Sequence, residues 1–380
     1  MPRLADARQD LTEAMERQGE WPERAPWIRQ AAEALPREEF APDRVWRWDG
    51  HAYVPVDREA DPDGWAAEIY PGPGAATVTQ VLGGEATSSL SAEGVVANML
   101  DSLLLEPGHR VLELGTGAGR NAALAAWRAG PGLVTSVEVD EDLTDAARER
   151  IKAAGQDVTV VVGDGADGWA PGAPYDRVIA TYAVETVPWA WVAQTRPGGR
   201  IVTPWGRLGE VSLKVAADGR SASGWVQGLA QFMPSRATSP VPGYQEVRGE
   251  GLDEDERLFT RDVAALDNGH LLFALRVLLP EVLVTTRRDD DGPNAWLHDG
   301  AKSWAALCAQ GDGRTVAYQG GPRRLADELE EAWTRWDTAD QPDQYDFGMT
   351  VKKSGRQTVW CRDNSTAPWW ESSNPSTSPS

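Results

Sequence analysis

Cysteine, histidine and positive charge are all scarce in this chain of 380 residues. Its two cysteines, Cys308 and Cys361, cannot build a disulfide framework or a thiolate metal cluster. The four histidines, His51, His109, His270 and His298, include no His-Glu-x-x-His or comparable spacing, so no metal is expected. Lys and Arg number 37 against 58 Asp and Glu, a net charge of −21. Non-specific nucleic-acid binding needs a basic surface and is excluded on that balance. No run approaches the roughly 18 apolar residues of a spanning helix, so no membrane partner is expected. The opening residues, MPRLADARQDLTEAMERQGEW, mix charges without an apolar centre. They predict no signal peptide and a cytoplasmic protein.

Tryptophan, by contrast, is plentiful at 18 residues. Such rings either stack on sugars and peptides or fill cores and domain seams. The second reading is favoured, because large aromatic side chains dominate burial wherever they occur.

Apolar positions recurring at three and four predict helices over 5–35, broken at Pro22 and Pro26. From 36 to 86 the Pro, Gly, Trp and charge content predicts an irregular arm. SAEGVVANMLDSLLL (91–105) reads as an amphipathic helix with Ser91 as N-cap and Glu93–Gly94 in its first turn. Beyond Pro107–Gly108, buried strands alternate with helices: HRVLEL (109–114), a helix over 120–129, LVTSVEV (133–139) and a helix over 141–155. VTVVVGD (158–164), YDRVIATYA (175–183), AWVAQT (190–195) and RIVTPW (200–205) follow, the last after a Pro-Gly-Gly turn. That alternation predicts an α/β fold with a parallel sheet covered on both faces.

Past Gly209 the pattern changes to antiparallel strands near 211–216 and 223–228, a buried helix over 267–280 and a strand at 314–319. A helix over 322–336 opening on Pro322 and a hairpin of 347–353 with 357–361 complete it. Four divisions follow: an arm at 1–86, an α/β core at 87–209, an α+β extension at 210–370 tied to the substrate, and a disordered Ser/Pro tail at 371–380. The acidic run Asp289–Asp291 reads as a solvated turn.

Chemistry concentrates in Glu113-Leu-Gly115-Thr116-Gly117-Ala-Gly119, between a strand and a helix. Glycines at alternate positions let the backbone turn sharply and bring N–H groups close to a ligand. Some 20 residues on, Glu138 ends the next strand, where a carboxylate can accept both hydroxyls of a ribose. Asp164-Gly165 ends the third strand, beside the place of an adenine. The spacing Gly-x-Gly-x-Gly departs from the pyrophosphate fingerprint, and no Lys-Ser/Thr opens the helix. A nucleoside without phosphate fits best, which points to S-adenosylmethionine as cofactor.

RVLELGTGAGRNAALAA, SVEVDEDLTDAARERIKAAG, VVVGDGADGW, PYDRVIATYAVETVP and QTRPGGRIVTPWG resemble the successive motifs of the protein-L-isoaspartate O-methyltransferase family, over roughly 75–207. Ser89-Leu-Ser91 with VVANML resembles that family's Thr-Ile-Ser segment and the helix after it. The resemblance implies a class I, Rossmann-like, S-adenosylmethionine-dependent methyltransferase core. The whole chain resembles a narrower group, the enlarged homologues encoded beside ATP-grasp peptide ligases in graspetide gene clusters. That likeness rests on the long N-terminal arm, the segment Thr87-Ser-Ser-Leu-Ser91 and the C-terminal extension. It implies methylation of an aspartate side chain in a ribosomally made, cyclised precursor peptide, the ester then closing to aspartimide, and a functional link to an ATP-grasp ligase. Repair of isoaspartyl damage, or modification of a lanthipeptide, is the alternative it leaves. Where the repair enzymes carry Pro after Thr-Ile-Ser-x, this chain has Glu93 followed by Gly94.

By the same resemblance Ser91 is the candidate catalytic hydrogen-bond donor, though a plain N-cap is an equal reading, and Ser89 is a weaker catalytic candidate. A carboxylate acceptor is already ionised near neutral pH, so no strong base is needed. Cofactor contacts are expected from Glu113, Gly115, Thr116, Gly117, Gly119, Glu138, Asp164, Gly165 and Thr181, with Glu113 either touching the ligand or steadying the turn. Ser88, Tyr182 and Trp189 are expected on the substrate side, with core packing an equal reading for Tyr182 and the favoured one for Trp189.

Overall fold

The computed structural model describes residues 2–206, 208–236, 241–249 and 255–372. Helices α1 (Pro2–Gln18) and α2 (Trp27–Ala34) form as the periodicity predicts, interrupted around Pro22 and Pro26. The segment expected to be irregular is a correction: 36–86 holds a folded sheet. Strands β1 (Arg44–Trp48), β2 (Tyr53–Asp57), β3 (Thr77–Leu82) and β4 (Glu85–Leu90), with helix α3 (Pro62–Ile69) inserted, pair antiparallel in the order β2-β1-β3-β4. In β1 and β2 only Val45 and Val56 are buried, so the apolar alternation is too short to register in the sequence.

Helix α4 (Glu93–Leu103) leads into β5 (Val111–Leu114), α5 (Arg120–Ala129), β6 (Val134–Glu138), α6 (Glu141–Ala153), β7 (Val158–Val162), β8 (Tyr175–Ala180), α7 (Trp189–Gln194) and β9 (Thr195–Trp205). All four residues of β5 are buried, as a strand covered on both faces requires. Helix α5 buries Ala122, Ala123, Ala125, Ala126 and Ala129, small side chains that let it sit close. Asp140 caps α6 through Leu143 N–H at 3.0 Å, with Glu141 and Asp142 in the first turn and Arg150 and Lys152 in the last. Residues 190–195 are mostly the short helix α7, and Pro197-Gly-Gly199 is a bulge inside β9 rather than a turn before it: Tyr175 pairs with Thr195, but Arg177 pairs with Arg200.

The parallel sheet does not stop at 209. Strands β10 (Gly209–Val215) and β11 (Ser221–Leu229) continue it antiparallel. Helix α8 (Tyr244–Arg248), β12 (Asp255–Phe259), α9 (Gly269–Leu278), β13 (Leu283–Asp289), β14 (Gly292–His298), β15 (Trp304–Ala309), β16 (Thr315–Gly320) and α10 (Leu325–Thr338) follow, then β17 (Phe347–Lys352), β18 (Gln357–Cys361) and β19 (Trp370–Glu371). One ten-stranded sheet results, in the order β19-β18-β17-β11-β10-β9-β8-β5-β6-β7. A second, five-stranded antiparallel sheet runs β12-β16-β15-β14-β13. The division expected at 209/210 thus falls inside β10, which is hydrogen-bonded to β9 and β11 on its two sides.

Asn268 caps α9, which begins later than expected because a 3₁₀ turn takes Val263–Asp267. Helix α10 begins at Leu325, three residues after Pro322. The acidic run closes the β13–β14 hairpin, with Asp289 accepting from Asp291 and Gly292 N–H. Of the tail expected to be disordered, Glu371 belongs to β19 and Ser372 N–H bonds to Gln357, while 373–380 lie outside the described residues. Among the described residues no helix is long and apolar enough to cross a membrane.

Candidate active site

Strand order reverses between β5 and β8, both parallel neighbours at the centre of the sheet. At such a switch point the loops beyond the carboxyl ends diverge and leave a crevice. Here it is a cleft of about 1070 Å³. Its walls are the turn after β5, the loops after β6, β7 and β8, the end of hairpin β3–β4, the face of α4, and residues 228–236 after β11.

The glycine turn is shaped by backbone need. Gly115, Gly117 and Gly119 all have positive φ (92°, 52° and 91°), which β-carbon-bearing residues rarely adopt. A Cβ on Gly115 would lie 2.5 Å from Thr181 Oγ1. On Gly119 it would press against Ile151 at 3.0 Å, so this glycine serves the packing of α5 on α6 as well as the turn. On Gly117 it would stand 3.4 Å from Ser88 Oγ: the serine strand β4 runs directly over the turn.

Glu138 closes the turn from below. One carboxylate oxygen accepts Gly117 N–H at 2.9 Å, and the other accepts Val139 N–H at 3.0 Å and Asp140 N–H at 3.2 Å. Its charge is therefore fixed at the cleft wall. Asp164 accepts Ala166 N–H at 2.8 Å and starts the turn that carries Gly165. Trp191, fully buried, donates its indole N–H to Gly165 carbonyl at 2.7 Å and meets the Tyr182 ring edge-on at 6.3 Å. Burial, with the Asp164 and Glu138 charges nearby, raises the Tyr182 phenol, which stays neutral. A Cβ on Gly165 would collide with that hydroxyl.

The cleft brings together Ser88, Ser89, Ser91, Gly115, Thr116, Gly117, Gly119, Glu138, Asp164, Gly165, Thr181 and Tyr182. Two candidates lie elsewhere. Glu113 is fully buried beneath the turn, accepting from Asn121 Nδ2 at 2.7 Å and from Ser136, whose hydroxyl also meets Thr116 Oγ1 at 2.6 Å. Burial pushes its carboxyl up to about 7. Of its two expected roles the geometry leaves the bracing of the turn. Trp189 packs on the main core at the start of α7, away from the cleft.

Ser91 is not an N-cap, which corrects the sequence reading. Ala92 is the cap residue, with no side-chain cap bond, because the chain leaves β4 extended and enters the helix one residue later. Arg37 holds Ser91 in place instead: its guanidinium donates to Ser91 carbonyl at 2.7 Å, Leu90 carbonyl at 3.3 Å, Ile69 carbonyl at 2.6 Å and Thr77 Oγ1 at 3.1 Å. Arg37 and Arg120 both pair with Glu93, Arg120 in a two-pronged contact at 2.7 and 2.9 Å. Glu93 faces these arginines and does not line the cleft, so its presence in place of Pro alters the support of the segment rather than its exposed surface.

Sequence reasoning missed the far wall. Asn98 of α4, Glu210, Gly228 and 231–236 line the cleft without any local motif, because the strand pairing of β10 and β11 with the core brings the last three against α4. Arg236 ties this wall to the rest: it bonds Asp140 at 2.9 Å, Gln80 Oε1 at 2.8 Å and Thr87 carbonyl at 3.1 Å.

Sheet order, glycine turn and acid-tipped strands together define the class I methyltransferase fold. The chain matches the family model described as Protein-L-isoaspartate(D-aspartate) O-methyltransferase over residues 7–228, and it belongs to that family. It is 46% identical over 121 residues to the protein-L-isoaspartate O-methyltransferase of Ignicoccus hospitalis, covering 31% of this chain and 57% of that one. To the protein of the same description from Methylorubrum extorquens it is 35% identical over 226 residues, covering 59% of this chain and 82% of that one. A solved protein-L-isoaspartate O-methyltransferase superposes with a TM-score of 0.53 at 22% identity, over 94% of this chain and all of that one. The chain spans little more than half the length of relatives such as those of Ignicoccus hospitalis and Methanopyrus kandleri, at 57% and 54%.

Proposed function

We propose that this protein is an S-adenosylmethionine-dependent carboxyl O-methyltransferase whose acceptor is the side-chain-like carboxylate of an isoaspartyl residue in a peptide or protein. One observation carries the reading: the serine strand lies over the glycine turn, so a nucleoside cradle and hydroxyl donors for an anion share one cleft. The residues present fit the cofactor. Glu138 offers carboxylate oxygens for ribose hydroxyls, Gly115 and Gly117 leave the approach bare, and Asp164-Gly165 stands at the third strand end. When bound, S-adenosylmethionine supplies an electrophilic methyl group on a sulfonium sulfur.

The chain's part is positioning. An acceptor oxygen must approach the methyl carbon opposite the sulfur, desolvated and aimed, and such alignment supplies much of the rate. Among the described residues the lining contains no histidine or lysine. This agrees with an acceptor that is already ionised. The Ser91 hydroxyl, its backbone clamped by Arg37, donates to the acceptor carboxylate and selects which oxygen points at the methyl.

Ser91→Ala is expected to lower kcat/KM by about 10- to 100-fold, the cost of one hydrogen bond to a charged group, while S-adenosylhomocysteine affinity measured by calorimetry stays unchanged. Equal losses in both would make the serine a structural element alone. The function itself is tested by mass spectrometry of an isoaspartyl peptide, its aspartyl isomer and a side-chain-cyclised peptide. A methyl gain on the isoaspartyl peptide is the result expected. Methylation confined to the cyclised peptide, followed by loss of methanol, would assign the narrower precursor-modifying role and its ATP-grasp link instead. No methyl gain on any of them, with no cofactor binding, would overturn the reading.

A further inference from the structure

Glu210 is a buried acid whose ionised form is supported by the Ser102 hydroxyl alone. It is 1% exposed, on β10, and its Oε1 has no hydrogen-bond partner among the described residues. It nevertheless lines the cleft. Burial pushes its carboxyl up to about 8, partly offset by Ser102 and reinforced by the Asp101 charge. At neutral pH the group is chiefly a carboxylic acid, both donor and acceptor. A buried polar atom left unmet is costly and uncommon, and this one belongs to a side chain that lines the cleft, where a ligand can meet it.

Two neighbours shape the place. Asn98 lines the cleft from α4, one turn before Ser102, which donates to its side-chain oxygen at 3.4 Å. Opposite stands Gly228: a Cβ there would lie at contact distance, 3.7 Å from Asn98 Nδ2 and 3.9 Å from Glu210 Oε2, so the bare glycine leaves a methyl-sized gap beside Asn98 and the other oxygen of the same carboxyl. A carboxamide and a neutral carboxyl match the N–H and C=O of a peptide bond. Ala92 to Asn98 is six residues of helix, a rise of about 9 Å. An extended peptide covers that in two to three residues at about 3.3 Å each.

We propose that Glu210 and Asn98 form a subsite that holds a backbone amide of the acceptor peptide, two or three residues along from the carboxylate addressed by Ser91. This rests on the acceptor reading above. The subsite makes the enzyme sense peptide length, not only the modified residue.

The experiment measures fluorescence anisotropy of a labelled isoaspartyl octapeptide, and of a version cut back to one residue on either side of the isoaspartyl group, on protein saturated with S-adenosylhomocysteine. Glu210→Ala is expected to weaken the octapeptide about tenfold, one hydrogen bond's worth, and to leave the short peptide unchanged. Glu210→Gln, still donor and acceptor, stays within about twofold of wild type. Gly228→Ala fills the gap without touching the acid and weakens the octapeptide alone, which covers the case of a poorly folded Glu210→Ala. Octapeptide binding unaffected by both alanine variants overturns the subsite, as does equal weakening of long and short peptides. Failure of the wild-type protein to bind either peptide, with cofactor binding intact, overturns the acceptor reading and the subsite with it.

Discussion

Replacing Glu138 with alanine is expected to weaken S-adenosylhomocysteine binding by about 100-fold or more, read by titration calorimetry. Hydrogen bonds to a charged group contribute about 1.5–3 kcal/mol each, and a carboxylate facing a ribose meets two hydroxyls. A second effect adds to the first. The same side chain accepts Gly117, Val139 and Asp140 N–H groups, so it also holds the glycine turn against the end of β6. Glu138→Gln keeps one good acceptor and loses the charge, and should fall between. The two effects separate by thermal unfolding without ligand: the turn contribution lowers the melting temperature of the free protein, the ribose contribution lowers only the stabilisation gained on adding S-adenosylhomocysteine. Unchanged affinity in Glu138→Ala would remove this residue from the ribose site.

The glycine-turn side of the cleft was legible in the sequence because it is local. Glycines, an acid and an Asp-Gly pair occur at the ends of consecutive strands, and the periodicity that predicts those strands also places their ends. Residues 87–205 therefore read almost element by element, with errors where tertiary pairing overrode a local signal. Pro197-Gly-Gly199 looks like a turn and is a bulge, since β9 needs to pair with both ends of β8. Ser91 looks like a cap, but the preceding strand carries the extended backbone one residue further. The opposite wall was not legible, because Asn98, Glu210 and Gly228 lie on three elements and meet only through strands β10 and β11. No spacing rule links residue 98 to residue 210. A Glu at the start of a strand that alternates Val211, Leu213 and Val215 with Ser212 and Lys214 was the one available signal.

The arm and the extension were misjudged in different ways. The arm's sheet hides among prolines, tryptophans and charges because only scattered residues of each strand are covered. Of the extension's strands, β10, β11, β16, β17 and β18 were read in the sequence and β12, β13, β14, β15 and β19 were not, nor was it seen that half of the ten prolong the core sheet. That continuity matters for the cleft: the wall carrying Glu210 and Gly228 is hydrogen-bonded through β10 to β9, and so to the parallel strands whose loops line the other side. A site split between two loosely joined domains would move; here the glycine turn and the wall of β10 and β11 stand on one sheet, and the serine strand β4 reaches over them from the arm's four-stranded sheet.

Glu93→Ala is expected to destabilise the protein by about 3–5 kcal/mol, the cost of leaving buried partners of an ion pair uncompensated, measured as a fall in the urea midpoint. Arg37, Glu93 and Arg120 are each at most 5% exposed. Without the carboxylate two guanidiniums face one another in the interior. Burial alone would push the Glu93 carboxyl up, but Arg120 and then Arg37 outweigh it and hold it below the ordinary glutamate range. Because the folded-state value is depressed, the stabilisation is complete above the unfolded-state value of about 4.3 and is lost as pH falls through the folded-state value. The gap between wild type and Glu93→Gln should therefore be widest at neutral pH and narrow under acid. Activity responds through geometry: Arg37, freed from Glu93, no longer fixes Ser91 and Leu90, so turnover falls in the folded Glu93→Gln variant while cofactor affinity is kept. Should Glu93→Gln match wild type in stability at neutral pH, the triad would be an ornament of the interior, and the clamp on Ser91 would have to come from the hydrogen bonds of Arg37 alone.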